Sequence, residues 1–138
     1  MASDVGPRTG RTGKCLCGAV SYTAERISDH VLQCHCENCR RLSGNYVAAV
    51  RADTADLRID SPTEAFQWHD LGYARYGFCR SCGSTLVFHP SERPESTSVM
   101  VGTLDDPSGL IIHEVWFADE AQPHNQLPHG VAHHAGNG

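Results

Sequence analysis

Residues 79–83 read Cys-Arg-Ser-Cys-Gly, and residues 15–18 read Cys-Leu-Cys-Gly. A Cys-x-x-Cys pair followed by glycine has the pattern of a metal knuckle. The backbone turns back on itself so that both sulfurs reach one ion, and glycine supplies the unusual φ at the bend. Cys15, Cys17, Cys79 and Cys82 would then complete a tetrahedral four-thiolate site, the closed ligand set that zinc favours in structural roles. A redox Cys79/Cys82 pair of thioredoxin type is the alternative, but no βαβ pattern surrounds it.

The sequence around the knuckles is a series of short apolar, β-branched and aromatic runs. Strands are expected at 19–24, 31–34, 46–52, 56–59, 65–69, 74–78, 84–89, 98–101 and 111–117. Turn signals such as Asp60-Ser61-Pro62 and Asp106-Pro107-Ser108-Gly109 separate them. One short helix is expected over 37–42. The pattern predicts a mainly β domain of antiparallel sheets. Residues 1–12, rich in Gly, Thr, Arg and Pro, read as a flexible arm. The domain proper is expected over 13–129, and 130–138 reads as a flexible tail. His124, His129, His133 and His134 are expected to be solvated.

Seven cysteines in 138 residues are many for an ordinary intracellular domain. Their odd number means that a complete disulfide set could not use them all. Eleven Lys and Arg against sixteen Asp and Glu give a net charge of −5, which argues against a nucleic-acid partner. The mean hydropathy is −0.36, and the longest apolar runs are too short to span a bilayer. The N-terminus lacks the apolar centre of a signal peptide. A cytoplasmic location with no membrane partner is therefore expected, and there clustered cysteines suggest metal or redox chemistry.

Setting aside the four knuckle cysteines leaves Cys34, Cys36 and Cys39, within the run Cys-His-Cys-Glu-Asn-Cys at 34–39. Three thiolates at this spacing can converge on one ion where a strand end meets a helix start. Structural zinc sites are usually closed by four ligands, whereas catalytic ones keep a position for water or substrate. Four plus three thus points toward an enzyme. The competing reading is a fourth ligand from His35, His69, His89 or His113, which would make the second site structural as well.

The runs GKCLCGAVSY, CHCENCRRLSGN, GFCRSCGSTLVF, VGTLDDPSG and HEVWFAD occur in this order. Together they resemble the glutathione-dependent formaldehyde-activating enzyme family over roughly residues 13–129. The resemblance implies a zinc-stapled β-tent, with Cys15, Cys17, Cys79 and Cys82 on a structural zinc. It implies a second, catalytic zinc on Cys34, Cys36 and Cys39 with an open position. The implied activity is that of a carbon–sulfur lyase joining a low-molecular-weight thiol, glutathione or similar, to formaldehyde or another small aldehyde.

Arg40 and Arg41 directly follow the last ligand. They are expected to offset the negative charge of the thiolates or to hold a substrate carboxylate. Glu37 is expected to serve the helix start before any role as a base. Trp68, Phe88, Trp116 and Phe117 read as core or pocket walls. Two readings of other classes stand beside the enzyme. One is a non-catalytic, zinc-stabilised binding module of the same β-tent. The other resembles the zinc-containing methionine sulfoxide reductases, but that chemistry needs a lone redox cysteine.

Overall fold

The computed structural model describes residues 8–137. The chain is mainly β with a single α-helix, as expected. In order it forms β1 (Arg8–Lys14), β2 (Ser21–Ser28), β3 (His30–Cys34), α1 (Glu37–Ser43), β4 (Val47–Asp53) and β5 (Leu57–Asp60). There follow β6 (Phe66–Asp70), β7 (Ala74–Cys79), β8 (Thr85–Pro90), β9 (Ser96–Met100), β10 (Ile111–Trp116) and β11 (Ala132–His133). One long path runs β11-β10-β3-β4-β9-β8-β7-β6. A second arm, β1-β2-β5, leaves it where Ile27 of β2 pairs with Ala52 of β4.

The nine strands and the helix read from the sequence all form, with ends moved by a few residues. Three expectations need correction. The sheet is mixed and not purely antiparallel: β10 runs parallel to β3, and β11 runs parallel to β10. The reason is the route of the chain after β9. It crosses to β1, where Leu104 bridges Gly13 and the Asp105 N–H reaches the Thr12 carbonyl at 3.0 Å. It then returns beside Asp29 at the start of β3, where the Ile111 N–H meets the Asp29 carbonyl at 3.0 Å. A strand that enters at the same end as its neighbour must run parallel to it.

The second correction concerns the N-terminal arm. From Arg8 it is strand β1, antiparallel to β2. Its run Arg-Thr-Gly-Arg-Thr-Gly-Lys has no apolar alternation because it is an edge strand held by backbone bonds. Side chains add to this: the Arg11 guanidinium donates to the Asp106 carbonyl at 2.7 Å and to the Ser108 carbonyl at 2.9 Å. Residues 1–7 lie outside the described residues. The third correction concerns the tail, which pairs with β10 through β11 and is treated below.

The core is divided between the two faces of β4. Val50 and Ala52 are fully buried in the main core with Val20, Ile27, Leu86, Val87 and Val99. Val47 and Ala49 point the other way, into a smaller cluster with Leu32, Cys34, Cys39 and Trp116. Successive strand residues face opposite sides, so Arg51 follows Val47 and Ala49 onto the second face. Cross-strand register completes that face, with Leu32 opposite Ala49 and Cys34 opposite Val47. Both faces of β4 are therefore covered, and the functional cavity lies on the second one.

Gly77 of β7 shows how close the packing is. It stands opposite Trp68 and Val87, and an added Cβ would overlap the Phe66 ring and press on the Val87 side chain. Gly77→Ala is expected to lower stability by about 1–3 kcal/mol through overpacking. The check is chemical denaturation, with the midpoint lowered and the slope unchanged.

Candidate metal centres and the adjoining cavity

The first cysteine group joins two turns that are distant in sequence but alike in form. In the turn after β1, the Cys15 N–H bonds the Val20 carbonyl at 2.9 Å, and Gly18 sits at φ +82°. In the turn after β7, the Cys79 N–H bonds the Ser84 carbonyl at 2.9 Å, and Gly83 also sits at φ +82°. Only glycine visits that region without steric cost, so each knuckle needs its glycine. All four sulfurs lie within 4.8 Å of one another.

The spacing fits zinc. Zn–S bonds of about 2.3 Å in a tetrahedron place the sulfurs about 3.8 Å apart. The Cys15–Cys17 and Cys17–Cys79 separations are 3.7 and 3.8 Å. Ser84 ties the knuckles together. Its hydroxyl accepts the Leu16 N–H at 3.0 Å and lies 3.2 Å from the Cys82 sulfur. Bonds from the Ser84 hydroxyl and N–H push the Cys82 thiol down to about 5, which favours the thiolate that a metal requires.

The second group is assembled by the junction of β3 with α1. Cys34 ends β3, Cys36 is the helix N-cap, and Cys39 lies in the first turn. The Cys36 sulfur accepts the Cys39 N–H at 3.4 Å. The three sulfurs again lie within 4.8 Å of one another. Hydrogen bonds from Cys34 and Cys39 pull the Cys36 thiol down, while Cys34 and Cys39 are pushed up. Crowded thiols cannot all ionise without a cation, and a cation among them removes that limit.

Among the described residues no histidine joins this group. His35 is buried, 3.1 Å from the Gln33 side-chain oxygen and stacked on Tyr46. His69 packs against Tyr76, the His89 ring nitrogen bonds the Pro94 carbonyl, and His113 stacks on His30.

Cys34 and Cys36 lie in the wall of a cavity of about 240 Å³, otherwise formed mostly by apolar side chains such as Leu32, Val47, Phe88 and Trp116. A second chamber of similar volume adjoins it and contains Arg51, Glu92 and Arg93. Tyr73, Phe88, Ser98, Trp116 and Asn137 belong to both. The Trp116 indole carries two cations, with the Arg51 guanidinium carbon 4.9 Å and that of Arg93 5.4 Å from the ring centroid. Arg51 is only 5% exposed.

Tyr73 stands at the mouth, where its hydroxyl accepts the Asn38 side-chain amide at 2.9 Å. Burial, and after it the charge of the neighbouring thiolates, hold the phenol above its usual range against the opposing Asn38 bond.

Neither Arg40 nor Arg41 is among the residues of the two chambers. Arg41 pairs with Glu37 at 2.9 Å on the exposed side of α1. Glu37 thus serves the helix start and this ion pair. The residues missed by sequence reasoning are Arg51, Tyr73, Arg93 and Asn137. The signal for Arg51 was present, since it continues the alternation Val47, Ala49. Nothing local distinguishes Tyr73, Arg93 or Asn137, which arrive on loops and on the tail.

The family model described as "Glutathione-dependent formaldehyde-activating enzyme" matches residues 10–119. A crystal structure of a Rhodobacter sphaeroides protein is similar over 68% of this chain and 87% of that one, with 32% identity and a TM-score of 0.59. No curated protein matches the chain. Among the described residues, no helix is long and apolar enough to cross a membrane.

The two cysteine groups should differ in what they support. Cys15→Ser and Cys82→Ser are expected to unfold or aggregate the protein, since structural zinc can contribute on the order of 10 kcal/mol to folding. Cys39→Ser should leave a folded protein with one metal fewer. Circular dichroism and metal analysis on the same samples make the comparison, and equal destabilisation by all three would assign both sites a structural role.

Proposed function

Because the chain belongs to the glutathione-dependent formaldehyde-activating enzyme family, we propose that it is a zinc-dependent carbon–sulfur lyase joining a low-molecular-weight thiol to a small aldehyde. The product is a hemithioacetal, S-hydroxymethylglutathione where the partners are glutathione and formaldehyde. The observation that carries this reading is the three-sulfur group, whose Cys34 and Cys36 line a cavity and which no histidine among the described residues joins. Zinc there would supply a Lewis-acid position that lowers the pKa of a bound thiol.

The chain's own residues account for the rest. Cys34, Cys36 and Cys39 would hold the metal. The apolar walls exclude water from the aldehyde carbon, which hydrates readily. Three cysteine thiolates and a substrate thiolate together would outweigh the charge of a divalent metal, at high cost away from water. Arg51 and Arg93 place positive charge over the Trp116 wall and can take a substrate carboxylate. In this reading they serve the purpose expected of Arg40 and Arg41.

Tyr73 fits the proton transfer. The Asn38 amide donates to its oxygen, which leaves the phenolic O–H to point elsewhere. As the S–C bond forms and the carbonyl π pair moves to oxygen, that O–H gives its proton to the new alkoxide. The proton released by the incoming thiol restores the phenol, so the reaction is neutral overall.

Metal analysis of freshly purified protein is expected to give two zinc per chain, and titration with glutathione is expected to show binding that Cys39→Ser abolishes. One zinc per chain with the Cys34 group metal-free, and no thiol binding, would sink the proposal. Tyr73→Phe should lower the condensation rate by about 100-fold while both metals and thiol affinity are retained. An unchanged rate removes Tyr73 from the mechanism.

A further inference from the structure

The family match ends at residue 119, but the cavity does not. Residues beyond it return to the site and are fastened there. The His134 N–H bonds the Val115 carbonyl at 2.8 Å, the Ala118 N–H bonds the His134 carbonyl at 2.9 Å, and the Phe117 N–H bonds the Gly136 carbonyl at 3.1 Å. Strand β11 adds a parallel pairing to β10. This ladder delivers Asn137 to the rim shared by both chambers.

Two further observations show that the segment shapes the walls. The His134 ring nitrogen lies 3.1 Å from Glu114 Oε1, and the same oxygen accepts the Trp116 indole N–H at 2.7 Å. Glu114 is 4% exposed, so this carboxylate links the tail to the indole that divides the chambers. Phe117, another wall residue, sits at φ +53°. A bulky side chain rarely adopts that conformation, and it persists only where surrounding structure over-determines it. Here the flanking N–H groups of Phe117 and Ala118 are both taken by the tail.

We infer that residues 130–137 form the specificity element of the site, closing the cavity mouth against bulky thiols and fixing Trp116 and Phe117 as its walls. The inference rests on the proposed thiol chemistry for its meaning, though not for its test. Deleting residues 129–138 widens the mouth and frees the indole. Asn137→Trp narrows it without disturbing the backbone ladder.

The test measures how fast Cys34 and Cys36 of the purified full chain react with a small alkylating reagent, iodoacetamide, and a bulky one, fluorescein maleimide. Peptide mass spectrometry reads each cysteine separately. The deletion is expected to raise the bulky-to-small rate ratio at Cys36 by about tenfold, and Asn137→Trp to lower it by a similar factor, the scale of steric discrimination in a pocket. If the deletion fails to fold, Asn137→Trp and His134→Ala decide, the latter raising the ratio. Ratios equal to that of the unaltered chain overturn the inference. A parallel titration with glutathione and 2-mercaptoethanol separates the two proposals. Absence of binding to any variant, with the alkylation ratios shifted, removes the thiol chemistry and leaves the tail as the gate.

Discussion

Four sulfurs within 4.8 Å of one another are the constraint on which the rest of this molecule depends. As thiolates they repel, and only a shared cation makes the arrangement favourable. The two turns that carry them belong to the two arms of the sheet, the first joining β1 to β2 and the second joining β7 to β8. Such a clamp suits a chain whose hydrophobic residues are 40% of the total, because metal binding stabilises folding outright when no preformed site exists in the unfolded chain.

Once the arms are clamped, β4 becomes a partition. One of its faces completes the main core, and the other, with Leu32 and Cys34 of β3, backs the cavity. A cation such as Arg51 can be held at 5% exposure there because the Trp116 ring offers its face to the guanidinium. The partition also separates the surroundings of the two cysteine groups. The four-sulfur group lies where two turns meet, with Cys15 and Cys79 buried against the main core. The three-sulfur group lies where a strand passes into a helix beside open space.

The second face owes its final form to parts of the chain far from the cysteines. Tyr73 comes from the β6–β7 turn, Arg93 from the β8–β9 turn, and Asn137 from the end of the described chain. Each is held by contacts with its own surroundings: Asn38 for Tyr73, Trp116 for Arg93, and the β10 ladder for the tail. The fold thus joins a cysteine group set by one short junction to a cavity rim built from separate loops and the tail.

The sequence by itself determined the two cysteine groups, nine strands and the helix, because local spacing and turn chemistry encode them. Cys34, Cys36 and Cys39 converge through a junction only a few residues long, and Gly18 and Gly83 mark the bends that carry the other four cysteines. The tertiary structure alone decided the parallel placement of β10, which follows from a crossover past β1 that no local pattern records. It decided that the polar run 8–14 is a strand, since an edge strand is held by backbone bonds and needs no apolar alternation. It placed Arg51 and Arg93 beside the cavity and paired Arg41 with Glu37 on the exposed side of α1, because nearness in sequence to a cysteine does not set the direction of a side chain on a helix. It also brought the histidine-rich tail onto β10, where the buried carboxylate of Glu114 gives His134 a partner that composition could not reveal.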